Sequence, residues 1–143
     1  MKELWLIYGL LSAVTAALVG IFGKLGLQGV DANTATAVRA IIMALFLIAV
    51  VFFQGNISQI PALLADKHTF FYILLSGTAG ALSWLFYFLA LKYGKVSQVA
   101  PIDKLSVVLA TLIAIFFLGE KVSLLGGIGI ALIGLGALLV AIG

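Results

Sequence analysis

"APIDKLSVVLATLIAIFFLGEKV", residues 100–122, is an apolar run of the length one helix needs to cross a bilayer, about 20 residues, broken near its start by Asp103 and Lys104. Similar runs recur through all 143 residues. With 64% hydrophobic residues, 9% charged residues and a mean hydropathy of +1.32, the chain has too little polar surface to be covered by water. The sequence therefore predicts a membrane protein. A secretory leader would be followed by a polar mature region, and none follows here, so no removable segment is expected.

Five runs have spanning length: residues 4–25, 34–53, 70–91, 96–118 and 124–142. Period-2 alternation is missing and the runs are far longer than barrel strands, which predicts an all-α fold with five transmembrane helices in a single domain, 1–143. Gly29, Asp31 and Asn33 punctuate the first connection, Gly94 follows the third run, and Ser123 is placed to cap the last helix. The longest connection, "QGNISQIPALLADKHT", carries Pro61 before Ala-Leu-Leu-Ala and reads as a short interfacial helix.

Five crossings put the two ends on opposite membrane faces. Lys24, Arg39, Lys92, Lys95 and Lys104 then share one face, and Lys2, Lys67 and Lys121 the other. The first face is favoured as cytoplasmic. If Lys24, Arg39 and Lys104 lie within helices, the bias reverses, so the chain could insert both ways. The basic residues are scattered singly and form no stripe for nucleic acid. Cysteine is absent and His68 is the single histidine, so no metal site is expected.

Small residues let helix backbones approach in lipid. On the first helix Gly9, Ala13, Ala16, Gly20 and Gly23 form such a stripe, read as packing inside the bundle. On the fifth, Gly127, Ala131, Gly134, Ala137 and Ala141 recur at helical spacing and are assigned to a self-association seam. The third helix carries Ser76, Gly80, Ser83 and Tyr87 on one face with Trp84 beside them, a small polar face suited to line a substrate cavity. The alternative is that its hydroxyls bond their own helix and its aromatics form an interfacial belt.

The segment "WLFYFLALKYGKVSQVAPIDKLSVVLATLIAIFFLGEKVSLLGGIGIALIGLGALLV", residues 84–140, resembles the signature part of an EamA domain of the drug/metabolite transporter superfamily. Tyr87, Ala90, Leu91, Gly94, Pro101, the Leu118-Gly119-Glu120 ending, Gly127, Ile133 and Gly134 carry the resemblance. "LVGIFGKLGLQGVDANTATAVRAIIMAL", residues 18–45, is similar to the family's first two helices, with Lys24 ending one and Arg39 entering the next. Members usually hold two five-helix units in inverted orientation, and this chain resembles the short members with one.

The resemblance implies a multi-pass protein of the plasma (inner) membrane of a prokaryote. It implies a transporter of a small organic solute by alternating access, which requires a second unit and hence a homodimer, preferably antiparallel. A membrane partner without transport activity, or one half of a heteromeric lipid-carrier flippase, is the alternative. The related small multidrug pumps use a membrane-embedded Glu in the first helix, where this chain has only Glu3 at the edge. No cofactor is expected and no enzyme: "GLQGVDAN" lacks the Lys-Ser/Thr of a phosphate loop, and the GxG of "GLGALLV" follows no strand.

Two readings compete for "APIDK". Pro101 suits the first turn of a helix, which would make Asp103 a helix-start acid with Lys104 reaching for headgroups. Against this, charges at membrane depth face a bundle interior and pair there. Neighbours on a continuous helix are about 100° apart, so Asp103 and Lys104 would not face each other. The expected partner of Asp103 is Arg39, the pair forming a charged gate, with Lys104, counted to the substrate cavity, left for a substrate anion or a lipid phosphate.

Overall fold

The computed structural model describes residues 3–143, so Lys2, one of the flanking charges counted above, lies outside the described residues. Among these residues it contains helices and no strand. In chain order they are α1 (Leu4–Gly26), α2 (Ala32–Phe53), a 3-10 turn (Ile57–Gln59), α3 (Ile60–Ala65), α4 (Lys67–Tyr93), α5 (Val96–Asp103), α6 (Leu105–Leu118) and α7 (Leu124–Ile142). Five stretches are long and apolar enough to cross a membrane, α5 and α6 together forming the fourth. The chain is an all-α, multi-pass integral membrane protein.

Capping chemistry sets the boundaries that hydropathy leaves loose. Asp31 accepts the Thr34 N–H and the Thr34 hydroxyl, both at 2.8 Å, and so starts α2 at Ala32, two residues before the expected point. Asp66 accepts the His68 N–H at 3.2 Å and the Thr69 hydroxyl at 2.6 Å, which starts α4 ahead of its apolar run. These bonds favour the carboxylate forms and hold both groups below the usual aspartate range, chiefly through the Thr34 N–H for Asp31 and the Thr69 hydroxyl for Asp66. The Ser123 hydroxyl caps α7 by accepting the Gly126 N–H at 3.1 Å. Gly119 ends α6 at φ +68°, a left-handed conformation that frees the Glu120 N–H to reach the Ala114 carbonyl at 3.2 Å. Pro61 opens the short α3, as its position in the long connection predicts.

The fourth span departs from the sequence reading. Pro101 is the sixth residue of α5 rather than part of its first turn, because the helix already begins at Val96, where the Gln98 side chain accepts the Lys95 N–H at 3.4 Å. Without an N–H, Pro101 leaves the Ser97 carbonyl without its helical donor. The helix breaks three residues later at Lys104 (φ −71°, ψ −6°), whose N–H reaches back to the Pro101 carbonyl at 3.0 Å before α6 resumes. The break falls about 12 Å along a span of about 34 Å.

The chain divides into two compact units, one taking in α1 up to Phe22 with Tyr93–Gly143, the other Gly23–Lys92. In the first, α7 packs on α5 and α6. Its contact is close at Gly134, where an added Cβ would lie 3.0 Å from Val108 Cγ2. In the second, Leu27, Ala32, Thr36, Phe88 and Leu91 form the buried centre. Even so, at most 11% of any span's most apolar stretch is buried inside the chain. Such a surface is solvated by acyl chains, where interior and exterior are equally apolar.

Candidate functional site

The chemistry of the Gly23–Lys92 unit converges on Phe88, which is fully buried. Residues of two other helices and a neighbour on its own helix meet it. From α1, Gly23 approaches so closely that an added Cβ would lie 2.4 Å from Phe88 Cε1. From α2, the Arg39 guanidinium stacks on the Phe88 ring at 3.5 Å from its centroid. On α4 itself, Tyr87 meets Phe88 edge-on at 5.3 Å and 82°. The Lys24 ammonium donates to the Leu91 carbonyl, one of the last in α4 and beyond the reach of that helix's own donors. Absence of a Cβ at Gly23 thus gives Phe88 its place, and Phe88 gives Arg39 its platform.

Arg39 borders a cavity of about 380 Å³ walled by Gly26, Val30, Thr34, Ala35, Val38 and Ile42. Its Nη1 is buried and has no hydrogen-bond partner. Thr36 is buried nearby, with its hydroxyl donating to the Ala32 carbonyl at 2.7 Å. Nη1 is closed off from the cavity, but the half-buried Arg39 side chain brings a positive charge to an apolar wall, and such a charge stabilises an anion placed against it.

In the other unit, Asp103 and Lys104 do face each other, against the expectation for consecutive helical residues: Oδ2 and Nζ are 3.4 Å apart. Asp103 is the last residue of α5 and Lys104 the non-helical junction, so the 100° step of a continuous helix does not apply between them. Their side chains are 36% and 53% exposed, which leaves the carboxylate open to a second cation.

The predicted cavity face of α4 divides along its length. Ser76, Gly80 and Ser83 are exposed, while Trp84 and Tyr87 are half-buried. The predicted seam on α7 divides too: Gly134 and Ala137 are buried within their own unit, whereas Gly127, Ala131 and Ala141 are exposed. Gly127 and Ala131 also border an almost wholly apolar cavity of about 540 Å³ between α6 and α7. Phe88 was absent from the predicted site. Its only signal is its spacing of four from Trp84 and three before Leu91, which an apolar run does not distinguish from the neighbouring faces. Among the described residues no group of His, Cys, Asp and Glu could hold a metal ion.

Comparison with known proteins places the chain in a family. The profile of the EamA-like transporter family matches residues 3–142. A protein of Sinorhizobium sp. named "Uncharacterized transporter in cobO 3'region" is 39% identical over 145 residues, covering 99% of each chain. No solved structure matches this chain.

Proposed function

The chain belongs to the EamA-like transporter family and is a membrane transporter, and from this we propose that it moves a small organic solute by alternating access as a homodimer. The observation that carries the proposal is the family match over residues 3–142 in a chain with five spans. Transport by alternating access uses two inverted repeats around a site at their interface, so a second copy, preferably antiparallel, supplies the other half. The exposed Gly127, Ala131 and Ala141 of α7 form the seam, and the uncovered Ser76, Gly80 and Ser83 of α4, with Trp84, Tyr87 and Lys104, line the substrate path.

Arg39 and Asp103 act as the charged gate. Two features support this: Arg39 Nη1 lacks a hydrogen-bond partner, and the Asp103 carboxylate is open to a cation besides Lys104. Asp103 exchanges between Lys104 and Arg39 as the gate opens and closes, and the break at Lys104 gives α5 freedom to move.

The test is reconstitution in liposomes with a broad metabolite panel. Flux above empty vesicles is expected, reduced in Asp103→Asn and in Arg39→Gln and partly restored by exchanging the pair (Asp103→Arg with Arg39→Asp). No flux across the panel contradicts transport by this chain alone and favours a heteromeric partner or flippase half. Normal flux in both single variants removes the gate. Cysteines placed in residues 93–97 and labelled from each side of intact cells test orientation, and one-sided labelling rejects the antiparallel dimer.

A further inference from the structure

Arg39 brings a permanent charge into the apolar part of α2. A guanidinium stays protonated at any cellular pH, so it is not neutralised by losing its proton. The Phe88 ring satisfies one face of the guanidinium by stacking but accepts none of its in-plane N–H groups in the way an oxygen does. Nη1 remains buried and without a partner. The cavity beside it is lined by Gly26, Val30, Ala35, Val38 and Ile42, with Thr34 as the one other polar side chain. The Thr34 hydroxyl is committed to Asp31. The half-buried Arg39 side chain therefore gives the cavity a single cationic group among otherwise apolar walls, Nη1 itself being closed off from it, and the volume of about 380 Å³ is that of an open groove. With no carboxylate and no second cation in its lining, it is poorly matched to zwitterions and to dianions.

We infer that this cavity binds a monoanionic oxyanion attached to an apolar body, the oxyanion on Arg39 and the body against Val30, Val38 and Ile42. The shared chemistry has two sources, a free apolar carboxylate or the phosphodiester headgroup of an anionic lipid. Binding is measured without transport, but an anion on Arg39 competes with Asp103 of the proposed gate, and the naming of this anion as cargo rests on the transporter reading.

Full-length protein in phosphatidylcholine nanodiscs is titrated calorimetrically with benzoate and with benzamide, its neutral counterpart. Benzoate is expected to bind about ten- to a hundred-fold more tightly, the range for charge-assisted hydrogen bonds. Arg39→Gln is expected to abolish the preference. Should Arg39→Gln fail to fold, Ala35→Leu narrows the cavity with the guanidinium in place and is expected to weaken benzoate binding at least tenfold. The lipid source is tested in nanodiscs that also contain phosphatidylglycerol, by native mass spectrometry of the released protein. One phosphatidylglycerol retained by the wild type and lost from the variant identifies a headgroup ligand, whereas benzoate preference without retained lipid identifies a free carboxylate. Equal affinity for benzoate and benzamide together with no variant-sensitive retained lipid overturns the site. Flux of neutral solutes without oxyanion binding sinks this inference and leaves the transporter reading intact. Benzoate binding without benzoate flux keeps the site and removes the anion as cargo.

Discussion

Gly23→Ala tests whether the contact of α1 with Phe88 organises the Gly23–Lys92 unit. The new Cβ would lie 2.4 Å from Phe88 Cε1. Carbon atoms in ordinary contact stand about 3.5–4.0 Å apart, so the ring or the helix must move by more than about 1 Å. Phe88 is fully buried and carries Arg39 on its ring, so it has little freedom to yield. Overpacking of this kind costs about 1–3 kcal/mol, and disturbing the stack removes about 0.5–2 kcal/mol more. The better helix propensity of Ala returns up to about 1 kcal/mol. The expected net loss is about 0.5–5 kcal/mol, at least roughly a twofold larger unfolding constant. Gly9→Ala is the matched control, in the same helix with no atom within 4 Å of the added Cβ. Unfolding by SDS in mixed micelles compares the two. Adding Phe88→Leu to Gly23→Ala removes the clashing ring edge and makes the cost of the pair smaller than the sum of the single costs. Gly23→Ala as stable as Gly9→Ala would refute the contact.

Gly134→Leu drives a side chain into Val108, which already stands 3.0 Å from the position of a Cβ, so it destabilises the chain itself in SDS unfolding. Gly127→Leu meets open space within the chain, so it leaves unfolding near the wild-type value and lowers the dimer fraction in crosslinking if α7 forms the seam. Gly119→Ala forces a Cβ into a left-handed conformation at φ +68° and costs about 1–2 kcal/mol in the same unfolding assay. Asp31 has its folded pKa lowered below 3.8, so its stabilisation is full above that value and is lost as pH falls through the folded value. Stability measured from pH 6 downward should therefore fall below about pH 4, and Thr34→Val, which removes one of the two bonds to Asp31, should make that fall shallower.

Composition and run length were enough to identify the solvent and the number of crossings. A helix in lipid must satisfy its own backbone, so apolar length translates directly into spans. Local chemistry was legible as well: Ser123 caps α7 and Pro61 opens α3. Each of these depends on a few neighbouring residues. The break at Lys104 was not read from the sequence, where Pro101 suits a first helical turn, because the effect of a proline depends on where the helix began. Which faces meet was decided by the tertiary structure alone. Nothing in the sequence separates Gly134, closed against Val108, from the open Gly127, or the buried Phe88 from the neighbouring Tyr87. In water, burial selects apolar residues and leaves a pattern to read. In a bilayer the surroundings are as apolar as the core, so hydropathy is silent about the inside, and only the shapes that allow Gly23, Phe88 and Arg39 to pack together determine it.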